Sequence, residues 1–167
     1  NIHFDLIDHN FENNLGLSIL TLDQLIEIDE FEISLHLMTE NPFSILNKYE
    51  GYEFSSITVH VETVNLNMFK KIAADFKNVG VGIAPYSDIL SLNNYLPYSN
   101  HVLLLCTQPS ISKYETINTV ERTREFKILF PDYEKIIIDG GILKDQIKIL
   151  ESMNVDTIVL GKLLNSI

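Results

Sequence analysis

Apolar residues in this chain fall into short unbroken runs, separated by segments where they recur every three or four positions. Runs of apolar and β-branched residues at 2–7, 31–38, 56–61, 80–84, 101–106, 135–138 and 157–160 predict seven buried strands. Between them, Leu22, Leu25, Ile26 and Ile28 form one helical stripe. Met68, Phe69, Ile72, Ala73 and Phe76 form a second, and Ile142, Ile147, Leu150 and Met153 a third. Asn41-Pro42 predicts a helix over 42–49, with proline at an early position where its missing N–H costs little. Ser87-Asp88 can cap a helix that follows it. Residues 112–126 are the least regular, although Tyr114, Ile117 and Val120 keep helical spacing. Strand–helix alternation with short connections means a parallel sheet, either doubly wound or closed into a barrel. No linker, low-complexity tract or tandem repeat interrupts it, so residues 1–167 read as a single α/β domain.

Composition narrows the partners. With 46% hydrophobic and 21% charged residues, the chain suits a soluble globular domain with a real core. The single cysteine, Cys106, rules out an intrachain disulfide and suits a reducing, cytoplasmic setting. No apolar run approaches a membrane span, and no signal-peptide pattern opens the sequence. A formal net charge of -11, with scattered basic residues, repels phosphate backbones and argues against nucleic acid as a partner. Small anions remain open, because backbone amides and helix N-termini can hold them.

The candidate chemistry lies at strand ends. His3 and Asp5 are two residues apart on a strand and share a face. His36 and Asp139 lie at or near the ends of apolar, strand-like stretches. If these strands are neighbours in a parallel barrel, their C-terminal ends meet at one mouth. Two imidazoles and two carboxylates there would suit a divalent metal with an open coordination position. A lone strand histidine is ordinarily a hydrogen-bonded core residue, and His60 and His101 are read so. Glu27, Asp29 and Glu30 read as a solvated helix face.

These residues, in this order, resemble the ribulose-phosphate 3-epimerase family. His3-Phe4-Asp5-Leu6-Ile7-Asp8, continued by Phe11 and Asn14, is similar to the family's second-strand signature. Leu35-His36-Leu37-Met38 with Glu40-Asn41-Pro42 resembles the third strand, and Thr58-Val59-His60-Val61-Glu62 the fourth. Asp139-Gly140-Gly141-Ile142 resembles the seventh, and Val159-Leu160-Gly161 the eighth. The resemblance implies a (β/α)8 TIM barrel of the ribulose-phosphate-binding type. Asn1 falls at the family's second strand and the last helix is short, so the expectation is an incomplete barrel belonging to a longer chain.

It also implies an activity: inversion of C3 of a ketose phosphate. The substrate would be ribulose 5-phosphate or xylulose 5-phosphate, or a related sugar such as a hexulose phosphate. His3, Asp5, His36 and Asp139 would hold one divalent metal, zinc first, with iron, manganese or cobalt as alternatives. Asp5 and Asp139 would double as the acid–base pair through an enediolate. Met38 would be a polarizable apolar wall beside it, and His36, Gly140, Gly141, Gly161 and Lys162 would contact substrate. Beyond the sugar phosphate, the implied partner is further copies of the same chain.

The sequence departs from the family at its phosphate cradle. The glycine-rich loop after the sixth strand is here Gln108-Pro109-Ser110-Ile111-Ser112-Lys113-Tyr114, without a glycine. Glycine permits positive φ and close backbone approach to an anion. Ala84-Pro85-Tyr86-Ser87 replaces an Asn-Pro-Gly-Thr motif, Gly161-Lys162 replaces Gly-Ser, Ile7 and Leu105 replace methionines, and His9 replaces glycine. Lys162 or Lys113 could supply an ammonium in place of the lost amides. The alternative reading is therefore a non-catalytic or altered-substrate barrel homologue.

Overall fold

The computed structural model describes residues 1–8, 17–107 and 116–161. Seven parallel strands follow one another in a single sheet, each bonded to the next in sequence order. They are β1 (Ile2–Ile7), β2 (Ile33–Met38), β3 (Ser56–His60), β4 (Val79–Ile83), β5 (Val102–Leu105), β6 (Ile136–Asp139) and β7 (Thr157–Val159). The crossovers carry α1 (Ile19–Ile28), α2 (Pro42–Leu46), α3 (Leu66–Asp75), α4 (Thr119–Leu129) and α5 (Ile147–Ser152). In a flat sheet, β1 and β6 would stand about 24 Å apart at the usual strand spacing. Instead, Nε2 of His3 on β1 lies 3.6 Å from Oδ2 of Asp139 on β6. The sheet has rolled into a nearly closed (β/α) TIM barrel.

The two faces of each strand have separate environments. Phe4, Leu35, Val59, Val81, Leu104 and Ile138 point outward into one large core with Leu22, Phe69, Ile72, Phe126 and Leu150. Met38, Leu103, Leu105 and Ile137 point inward and form a second cluster, joined by Ile7 and Val159. The rest of the lumen is largely polar and paired. The hydroxyls of Ser34 and Ser56 bond each other, and Oγ1 of Thr58 lies 2.8 Å from Nε2 of His101. Strand β4 alternates accordingly, with valines outward and Gly80 and Gly82 inward. A Cβ on Gly80 would stand 2.1 Å from Nε2 of His101, so the histidine ring fills the space that the glycine leaves.

All seven predicted strands form, with ends shifted by a residue or two. Asn41 caps α2 through the N–H of Ser44, and the helix tightens to a 3-10 turn at Asn47–Tyr49. Two expectations need correction. Asp88 does accept the N–H of Leu90, but Ile89–Asn94 and Leu96–Tyr98 are 3-10 helices. Buried Ile89 and Leu92, three residues apart, suit a three-residue turn. The helix expected within 112–126 begins only at Thr119, where Asn118 accepts the N–H groups of Val120 and Glu121. Thr116 instead bridges Thr107 in antiparallel fashion, and Ile117 donates to the carbonyl of Cys106. Tyr114 lies outside the described residues, and Ile142 precedes α5. No helix among the described residues is long and apolar enough to cross a membrane.

Candidate metal centre at the barrel mouth

His3 and Asp5 share the inward face of β1, and the register sets Asp5 beside His36 on β2. Asp139 ends β6, opposite Leu105 and Val159 of the adjoining strands. Rolling the sheet brings all four together. Each offers one ligand atom, and these atoms lie within 4.8 Å of one another. Nδ1 of His36 is 2.9 Å from Oδ1 of Asp5 and 3.4 Å from Oδ2 of Asp139. Nε2 of His3 is 3.4 Å from Oδ1 of Asp5 and from Nδ1 of His36. The carboxyl groups of residues 5 and 139 thus converge on the same point.

Burial and charge oppose each other here. Burial alone would lower the pKa of His3, but hydrogen bonds to Asp139 and Asp5 prevail and raise it to about 9. His36, wholly buried, is raised for the same reason. Burial would raise Asp5 and Asp139, yet their bonds to His3 and His36 hold both below the usual carboxylate range. The Asp5 side chain is 42% exposed and that of Asp139 only 11%, so the cluster opens to solvent on the Asp5 side. The donor set suits a divalent cation, with two acceptor carboxylates and two imidazoles whose ring nitrogens face a common point.

Met38 lies beside this cluster and is almost fully buried within the inner apolar group. Gly140 and Gly141 follow Asp139 with φ of +84° and +69°. A Cβ on Gly140 would come within 2.8 Å of Thr107, and one on Gly141 within 2.6 Å of Thr116. These glycines therefore carry the chain through a left-handed turn under the Thr107–Thr116 bridge. The hydroxyl of Thr107 is buried there with no hydrogen-bond partner among the described residues. Gly161 is exposed, with nothing within 4 Å of its Cβ position. Lys162, Lys113, His9, Phe11 and Asn14 lie outside the described residues, as does the segment 108–115.

His60 and His101 are buried and hydrogen-bonded, as the sequence suggested. Sequence reasoning missed that His60 touches the candidate ligand itself: its Nε2 is 2.7 Å from Nε2 of His36. The signal was the period-two set Thr58, His60 and Glu62, which places all three on one face.

The family model for the ribulose-phosphate 3 epimerase family matches residues 1–164. The chain is also similar to proteins named ribulose-phosphate 3-epimerase. That of Aquifex aeolicus is 27% identical, over 96% of this chain and 75% of its own length. That of Buchnera aphidicola subsp. Baizongia pistaciae is 26% identical, over 99% of this chain and 77% of its own. That of Helicobacter pylori (strain ATCC 700392 / 26695) is 24% identical, over 96% and 76% respectively.

Proposed function

The chain belongs to the ribulose-phosphate 3 epimerase family, and on that premise we propose that it is a metal-dependent epimerase inverting C3 of a ketose phosphate, with residues 1–167 acting as one barrel domain. Ribulose 5-phosphate and xylulose 5-phosphate are the first candidates, followed by a related hexulose phosphate. The observation that carries this reading is the convergence of Asp5 and Asp139, from strands on different sides of the mouth, on the imidazoles of His3 and His36.

His3, Asp5, His36 and Asp139 would hold one divalent cation, zinc before iron, manganese or cobalt. Once bound, such a cation supplies the positive charge that makes a proton beside a carbonyl removable near neutral pH. The residues do the rest. One aspartate, ionised, would take the proton from C3, and the other, entering the cycle protonated, would deliver its own to the opposite face. Each turnover leaves the pair with its proton exchanged between members, so the same two groups serve both directions. Met38, with Leu105 and Ile137 behind it, offers an apolar wall that keeps water from the reacting carbon. The backbone amides of Gly140, Gly141 and Gly161, together with Lys162, are the candidates for gripping phosphate.

Incubating ribulose 5-phosphate with the metal-loaded protein in D2O tests the reading. One deuterium is expected at C3, together with xylulose 5-phosphate. Exchange with a hexulose phosphate alone would favour the altered-substrate homologue, which the glycine-free segment Gln108–Tyr114 recommends. No exchange with any ketose phosphate would overturn the epimerase assignment in favour of a non-catalytic barrel.

A further inference from the structure

Behind the candidate metal ligands a second line of polar side chains runs through the barrel wall. Nε2 of His36 lies 2.7 Å from Nε2 of His60, with the two rings inclined by only 18°. Nδ1 of His60 lies 3.1 Å from Oε2 of Glu62. The other oxygen, Oε1, accepts the N–H of Ala84 at 2.9 Å, and the Ser87 side chain also bonds this carboxylate. The turn at 84–87 is fixed in its place. Nη2 of Arg122, on α4, donates to the carbonyl of Ser87 at 2.6 Å and to that of Ala84 at 3.3 Å.

Elementary hydrogen-bond chemistry assigns the protons along this line. A carboxylate only accepts, so Nδ1 of His60 carries hydrogen. Only one hydrogen can lie between two Nε2 atoms 2.7 Å apart, and a His36 that binds a cation through the nitrogen facing the other ligands must keep its own hydrogen on Nε2. The hydrogen in the contact between the two Nε2 atoms therefore belongs to His36. With Nε2 of His36 committed as a donor, Nδ1 is the nitrogen whose proton a cation would displace. That nitrogen faces Asp5, Asp139 and His3.

We propose that His60 and Glu62 are positioning residues for the metal centre, selecting the tautomer and orientation of His36 that bind a cation through Nδ1. The inference rests on the metal-dependent reading above. It extends that reading to two residues on β3 and just beyond its end, neither of which is among the four convergent ligands. Partners behind a ligating histidine commonly change metal affinity by about 10–100-fold when removed. Glu62 supplies acceptor oxygen and negative charge to His60, and His60 hands the acceptor role on to His36.

Cobalt(II) titration of the full chain, read by visible absorption and by competition with a chelator, tests this without reference to turnover. Glu62→Ala is expected to weaken cobalt binding about 10–100-fold, and His60→Ala to shift the cobalt absorption band as well. Glu62→Gln keeps one acceptor oxygen without the charge and should fall between Glu62→Ala and wild type. It decides the matter if the alanine variants do not fold. Glu53→Gln, at an exposed acid paired with Lys77, serves as the control expected to bind as wild type does. Binding within twofold of wild type and an unchanged spectrum in Glu62→Gln and in any folded alanine variant would overturn the positioning role while leaving the four-ligand site standing. A wild-type chain that takes up no cobalt, zinc, iron or manganese would overturn both.

Discussion

Nε2 of His3 and Oδ2 of Asp139 stand 3.6 Å apart, although five strand-to-strand steps separate them along the sheet. Their contact puts a carboxylate on each side of the mouth around the same imidazoles. Asp139→Asn keeps the size of that group and removes its capacity to accept a proton. Epimerisation and deuterium uptake at C3 are expected to fall by about 10²–10⁴-fold, the usual contribution of a positioned acid or base. Asp5→Asn should fall similarly, with the circular dichroism of both variants unchanged. Wild-type turnover in either variant would remove that aspartate from the proton-transfer pair.

Removing the metal should loosen the fold as well as stop the reaction. A ligand that binds only the folded chain, at 100 times its dissociation constant, adds about 2.7 kcal/mol of stability. For a chain of this length, that amounts to a rise of about 5–10 °C in Tm. Thermal unfolding with zinc and then with excess EDTA measures the difference. A Tm that does not move would argue that the four side chains hold no metal.

Gly80 and His101 share one space, since a Cβ on the glycine would lie 2.1 Å from the ring. Gly80→Ala must displace the imidazole or bend β4, at a cost of about 1–3 kcal/mol or more. His101→Ala alone leaves a cavity and strands the hydroxyl of Thr58. The two substitutions combined should cost less than their sum, because the methyl group enters the vacated space. Urea unfolding of both single variants and the pair measures this coupling, and strict additivity would refute the shared space.

His101 also gives stability a pH dependence. Burial depresses its pKa from 6.5 to about 4. Above pH 6.5 the ring is neutral in both the folded and unfolded chains, and contributes nothing to the pH dependence. Between pH 6.5 and 4 the unfolded chain gains a proton that the folded chain refuses, so stability falls with acid. At about 1.4 kcal/mol per tenfold change in proton affinity, the full loss is about 3 kcal/mol. Unfolding in urea with EDTA present, at pH 7.5 and 4.5, should show a smaller acid loss in His101→Gln than in wild type. Equal losses would mean that His101 is protonated in the folded chain.

Much of this architecture was legible because a parallel strand buried on both faces must be apolar along its length, while lumen-facing positions are free to carry function. That rule placed all seven strands and marked His3, His36, His60, His101, Asp5 and Asp139 as polar residues in apolar company, and the ordered family motifs set four of them apart from His60 and His101. It could not tell which rings would meet. Period two sets Thr58, His60 and Glu62 on one face, but the 2.7 Å approach of His60 to His36 depends on how far adjacent strands are staggered. Arg122 was unreadable for a different reason. It sits in a helix of mixed charge and looks solvated, yet it is buried because two backbone carbonyls of the 84–87 turn lie within its reach. Ser87-Asp88 signals a helix start but not its type, because capping residues look alike ahead of α and 3-10 geometry.

Thr107 and Thr116 close on the backbone of Gly140 and Gly141 so tightly that a methyl group fits at neither glycine. Residues 108–115 join those two threonines, and the segment's two feet therefore rest on the peptides that follow Asp139. A bulkier residue at either foot would press on those peptides and push the carboxylate off station. The station of residue 139 is thereby tied to the choice of side chain at positions 107 and 116, both distant from it in sequence.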